Sequence, residues 1–113
     1  MSKQLISETV TVPDLAERLD LSASKVRRML ENHQLAALRI DGVLRIPELF
    51  LTEEGPLSSL HGTIVVLRDA GYSNDEVIDW LLTENEAIGG RPIDSLRAGR
   101  KAEVRRLAQA LSF

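Results

Sequence analysis

Residues 21–51 read LSASKVRRMLENHQLAALRIDGVLRIPELFL. Ser22 is a good N-cap, and it predicts a helix over residues 23–32. At 100° per residue Val26, Met29 and Leu30 fall on one side of that helix, while Ser24, Arg27, Arg28 and Glu31 fall on the other, with Lys25 at the flank. One face is fit to pack and the opposite face is free. Behind it, residues 38–46 place Asp41-Gly42 between apolar and β-branched residues, a hairpin signal. A three-residue loop over Asp41, Gly42 and Val43 pairs Ile40 with Leu44, Arg39 with Arg45 and Leu38 with Ile46, which turns four apolar side chains inward and both arginines outward. A two-residue Asp-Gly turn would mix the faces, so the three-residue register is the expected one.

Upstream, Thr11, Val12, Pro13 and Asp14 form a helix start: threonine at the N-cap, proline in the first turn and an acid three residues after the cap. This helix runs to about Leu19 with Leu15, Ala16 and Leu19 inward, and Asp20 and Leu21 make a short turn into the next. Downstream, Pro47 ends the second strand, and residues 48–52 pack on this first half. Glu53-Glu54-Gly55-Pro56 is the expected joint, dividing the chain into a head, residues 1–55, and a helical part, residues 56–113. In the second part helices are expected over residues 60–70, from a Ser73 or Asn74 cap through Leu82, over residues 92–98 and over residues 100–111. Trp80 is expected in the core. The last helix gathers Val104, Leu107, Ala108 and Leu111 into one stripe and exposes Lys101, Arg105 and Arg106 elsewhere. The fold class that follows is mainly α with a small β-hairpin wing.

A chain of 113 residues, 43% hydrophobic and 27% charged, is of the size of one compact unit and is neither disordered by composition nor disulfide-rich. It has no cysteine, which excludes disulfides and thiolate metal sites and is compatible with a reducing cytosol. The start MSKQLISETV lacks the apolar core of a signal peptide, and no later apolar run approaches the ~18 residues of a membrane span. A cytoplasmic location without membrane contact is therefore expected. The net charge of −3 and pI near 5.4 conceal an uneven distribution. Residues 1–50 hold seven basic and seven acidic side chains, residues 51–90 only Arg68 against eight acids, and residues 91–113 six basic against two acidic. A basic face can coexist with a low overall pI.

A helix, a tight turn, a second helix with a polar outer face and then a hairpin is the order of a winged helix-turn-helix, whose second helix enters the major groove of double-stranded DNA while the wing follows the backbone. Ser24 and Arg28, one turn apart, are placed for base edges, and an arginine can bond guanine O6 and N7 bidentately. Lys25 and Arg27 stand where phosphates would pass, Arg39 and Arg45 on the wing can neutralise phosphates or enter a minor groove, and the cap Ser22 is counted with them in the expected DNA-binding set. The plainer alternative is an amphipathic helix with ordinary solvated charges; the hairpin at the right distance favours nucleic acid. His33 and His61 are isolated, with no second ligand at metal spacing, and Asp75, Glu76 and Asp79 read as a solvated acidic face. Gly89-Gly90 fits neither phosphate-loop pattern. No catalytic constellation, metal site or cofactor motif emerges, so an enzyme is not expected. One recognition helix and one wing make a small footprint, which leaves room for a homodimer on DNA.

These residues also carry a resemblance. TVPDLAERLDLSASKVRRMLENHQLAALRIDGVLRIPELFL, then LHGTIVVLRDAGYSNDEVIDWLL and RPIDSLRAGRKAEVRRLAQAL, resemble the small actinobacterial winged helix-turn-helix DNA-binding protein family known from mycobacteria, over nearly the whole chain. The resemblance implies a DNA-binding head related to excisionase and MerR-type heads and a helical C-terminal half of unassigned role; the function expected from the whole reading is DNA binding in transcription regulation. A second resemblance covers the C-terminal half alone: GYSNDEVIDWL, a loop with GG, and RPIDSL are similar to the toxin-binding domain of Xre-type antitoxins. It implies a protein-interaction module in which residues 56–113 bind a partner protein. The Xre head is absent upstream, and Thr83-Glu84-Asn85-Glu86 stands where an asparagine-proline pair often follows the Trp-Leu pair.

Overall fold

The computed structural model describes residues 8–112; residues 1–7, the start of the expected head, and Phe113 lie outside the described residues. Thr9–Thr11 form strand β1 and pass directly into helix α1 (Val12–Leu19), because the Thr11 hydroxyl accepts the Asp14 N–H at 3.2 Å and Pro13 presets the first turn. Asp20 closes α1 in the left-handed region at φ 56°, a conformation that aspartate tolerates better than most side chains. The N–H groups of Asp20 and Leu21 reach back to the carbonyls of Glu17 and Ala16, and the chain enters helix α2 (Ala23–Glu31) after three residues. Strands β2 (Leu38–Ile40) and β3 (Val43–Pro47) follow, with β3 at the centre of an antiparallel sheet ordered β1-β3-β2.

Glu48–Phe50 make a 3₁₀ turn, and β4 (Leu51–Thr52) folds back on β5 (Gly55–Pro56) around Glu53 and Glu54. The expected joint is thus a tight hairpin. Beyond it lie α3 (Leu60–Asp69), α4 (Asn74–Leu82), α5 (Pro92–Arg97) and α6 (Lys101–Gln109), the last ending in a 3₁₀ turn over Ala110–Ser112. Ser73 and Glu76 exchange hydrogen bonds in a capping box that starts α4. α3 packs on α4 and α6, α5 joins α4 to α6, and α4 also reaches β2 of the sheet. The buried apolar side chains form one cluster through both halves, from Leu15, Val26, Ile46 and Phe50 to Ile64, Leu81, Ile93 and Val104. No described helix is long and apolar enough to cross a membrane.

The hairpin register departs from the expected one. Ile40 pairs with Val43, Arg39 with Leu44 and Leu38 with Arg45, so the loop is the two residues Asp41 and Gly42, at φ 53° and 81°. Two positive φ values make the type I′ turn, whose twist matches that of the strands. Arg39 and Arg45 consequently lie on opposite faces, and so do Leu38 and Ile46, both of which are buried. The reason is that both faces of the sheet are covered, with α1 against β3 and α4 against β2. A sheet packed on both sides needs no single apolar face, and the turn chemistry then sets the register.

Two expected core positions are incompletely buried. Trp80 packs against the core as expected but stays half-buried, since it lies about 130° around α4 from the centre of the Val77, Ile78, Leu81 and Leu82 stripe. Leu111 is 38% exposed, because the α-helical phase that would align it with Val104 and Ala108 stops at Gln109. Strand β1 is an addition: three residues, Thr-Val-Thr, are too short to show a period in the sequence.

Candidate nucleic-acid interface

The Ser22 hydroxyl oxygen accepts the Lys25 N–H at 3.1 Å, so this residue starts α2 as an acceptor and keeps its own proton to donate. The helix then buries Val26 completely and Met29 to 8% exposure, with Leu30 half-buried. Ser24, Lys25, Arg27, Arg28 and Glu31 are exposed, as the wheel places them. At the other end His33 takes φ 60°, and the N–H groups of His33 and Gln34 close on the carbonyls of Leu30 and Met29 in a Schellman-type cap. The His33 carbonyl lies 3.2 Å from Nδ1 of His61 on α3 and accepts from its Nδ1–H tautomer. Two histidines that are isolated in the sequence thus meet, and the second half of the chain holds the end of α2.

The cations of the molecule divide into two groups. Arg18 of α1 is engaged by Glu48 through two hydrogen bonds of 2.9 and 2.7 Å. That bond holds the Glu48 carboxyl below its ordinary value and raises Arg18, in each case chiefly through the side-chain hydrogen bond. Arg91 grips Asp94 in the same bidentate way, Arg68 donates to the Tyr72 carbonyl, and Arg97 donates to the carbonyls of Leu49 and Leu51, each at 2.9 Å. Lys25, Arg27 and Arg28, by contrast, make no ion pair or side-chain hydrogen bond among the described residues. An arginine already forked onto a carboxylate must break that pair to meet a phosphate, whereas these three need not. The α2 face is therefore cationic and uncommitted.

On the wing, Arg39 is exposed and its Nη1 donates to the Gly42 carbonyl at 3.2 Å, which lays the side chain along the turn. Arg45 is half-buried on the central strand, opposite Thr11 on one side and Leu38 on the other. The two arginines expected on a common outward face are separated by the sheet. Val43, 42% exposed, stands at the tip beside Asp41-Gly42.

Two of the clefts on the surface lie beside α2 and α4. One, of about 510 Å³, is lined by Asn32, Gln34, Pro56, Leu57, Ser58 and His61 at the junction of α2 with the second half. Another, of about 280 Å³, lies beside α4, where Tyr72 and Trp80 meet Glu76, Asp79 and Glu84. Among the described residues no group of three or more His, Cys, Asp or Glu side chains is arranged to hold a metal ion.

Comparison with known proteins places this geometry. The family described as the wHTH domain of DNA-binding protein Rv2175c matches residues 4–51, and the family described as the Rv2175c C-terminal domain of unknown function matches residues 57–112. DNA-binding protein Rv2175c of Mycobacterium tuberculosis (strain ATCC 25618 / H37Rv) is 34% identical over 118 residues, covering 93% of this chain and 81% of its own. The NMR structure of Rv2175c superposes with a TM-score of 0.85 at 33% identity, over 94% of this chain and 82% of that one.

Proposed function

This chain belongs to the family of DNA-binding protein Rv2175c, and on that premise we propose that it is a non-enzymatic, double-stranded-DNA-binding protein with a regulatory role. In this reading α2 lies in the major groove, Ser24 and Arg28 face base edges, and Ser22, Lys25 and Arg27 meet the flanking phosphates. The β2–β3 wing meets backbone or minor groove, with Arg39 presented beside the turn and Arg45 from the opposite face. The observation that carries the reading is the α2 surface, where three cations stand without a carboxylate partner among the described residues while Arg18 in the same head is neutralised. Retention of a random-sequence duplex at low salt, followed by selection of the bound sequences, tests it. No retention at low salt overturns it. One helix and one wing cover a small site, so two copies on a two-fold symmetric duplex are expected, and sedimentation of the complex measures that stoichiometry.

A second reading, in which residues 56–113 bind a partner protein, is favoured by the half-exposed Tyr72 and Trp80 in the acidic cleft beside α4. Aromatic side chains are enriched where proteins meet. Affinity purification from the native cell should then recover a partner that Trp80→Ala loses and Arg28→Ala retains; recovery by both counts against this reading.

A further inference from the structure

Segment 91–113 holds six basic against two acidic side chains, and the fold uses half of those cations internally. Arg91 is bound to Asp94, Arg97 to the carbonyls of Leu49 and Leu51, and Arg100 approaches Glu103 at 4.0 Å and Ser95 at 3.4 Å. Lys101, Arg105 and Arg106 remain, all exposed on α6 and without an ion pair or side-chain hydrogen bond among the described residues. Lys101 and Arg105 are one turn apart on the same flank of α6, whereas Arg106 points about 100° further round.

That flank leads back to the recognition helix. The Arg105 guanidinium lies against Gly62 of α3, over the position a Cβ would take, which places this cation at the start of α3. Gly62 follows His61, whose ring touches the His33 carbonyl at the end of α2. The 510 Å³ cleft lined by Asn32, Gln34 and Ser58 occupies the same junction. From the end of α2 the surface thus passes through the amides of Asn32 and Gln34 and the His61 imidazole to Arg105, with Lys101 one turn along α6 from it. A phosphate beyond this end of α2 meets the negative pole of the helix and Glu31, so the backbone there needs positive charge from another element.

We propose that this junction is a second DNA-backbone site, in which Lys101 and Arg105 neutralise phosphates flanking the base pairs read by α2. The inference rests on the DNA reading above and gives part of the C-terminal half a share in it. Its test compares full-length Lys101→Gln/Arg105→Gln with Arg106→Gln, which removes a charge from the same helix on another side. Each is titrated by fluorescence anisotropy against a selected duplex and a scrambled one at several salt concentrations. The double variant should reduce the slope of log affinity against log salt by roughly 1.8, at about 0.9 per lost phosphate contact, with its base preference intact. Across a fourfold change in salt its affinity should fall about twelve-fold less than that of the wild type. Arg106→Gln should keep the wild-type slope. An unchanged slope in the double variant overturns the proposal while leaving the DNA reading in place, and so does an equal loss in Arg106→Gln, which would mean a general charge effect. A double variant that changes only the sedimenting mass overturns it in favour of a contact between copies. Wild-type protein that binds no duplex removes the DNA reading and this site together.

Discussion

Arg28 and the two wing arginines are identical in charge but differ in what surrounds them, and the difference decides what each substitution should do. Arg28 stands exposed on α2 and one turn from Ser24, so on the DNA reading Arg28→Ala should cost about 1–3 kcal/mol on a selected duplex and flatten the preference at one base pair. Equal loss on selected and scrambled duplexes would remove it from base reading. Arg39→Ala should weaken both duplexes alike and lower the salt slope by about 0.9, with only a small fall in melting temperature, since the one hydrogen bond lost, to the Gly42 carbonyl, is exposed. Arg45→Ala should lower the melting temperature too, because its half-buried stem covers the sheet between Thr11 and Leu38. The residue types of this surface were all legible in the sequence, yet which cations stay free was not. Arg18 is neutralised by Glu48, thirty positions away, and Arg97 is tied down by hydrogen bonds to carbonyls 46 and 48 positions away, and neither separation leaves a periodic trace. The contact between His61 and His33 is hidden for the same reason.

At the scale of elements, helix starts were legible because a cap is a local event: Thr11, Ser22 and Ser73 each accept from the backbone three residues on. Ser22→Ala should therefore destabilise the protein by about 1 kcal/mol and weaken DNA binding through loss of α2 order, which thermal unfolding alongside titration would separate from a direct contact. The wing register was not legible, since a rule that assumes one covered face fails when α4 returns from the second half to cover the other. The tie between α1 and the turn after β3 gives a pH signature. Glu48 is held below its ordinary value near 4.5 by the Arg18 hydrogen bond, so the stability it contributes is present above that pH and is lost as pH falls through the depressed value. Glu76, lowered by the Ser73 backbone, acts in the same window. Glu48→Gln should thus lose less stability than the wild type on acidification from about pH 5 to pH 3, and the difference between the two isolates the Arg18 pair. A parallel decline in both proteins would mean that the pair contributes nothing.

For the molecule as a whole, the acidic middle segment and the basic C-terminal segment coexist because the body measures 38 × 26 × 23 Å, two to four times the ~10 Å over which charge is felt at 0.1 M salt. Net charge therefore says little about any one face. The same body raises the question of how independent its halves are, since two families match on either side of the hairpin at residues 51–56. The buried cluster runs through that hairpin, Phe50 and Leu51 on one side and Leu60 and Ile64 on the other, and Arg97 of α5 donates to the carbonyls of Leu49 and Leu51. Separating the halves would open that cluster to water, which favours a single cooperative unfolding unit. Hydrogen exchange tests this directly: under conditions where exchange reports global unfolding, the amides of Ile46 in β3 and Leu81 in α4 should open with the same free energy. Arg97→Ala removes two hydrogen bonds from a charged donor, one of them partly buried, and should lower that shared value by about 1–2 kcal/mol. A fall at Ile46 with Leu81 unchanged, or the reverse, would show two units that fold separately and merely touch.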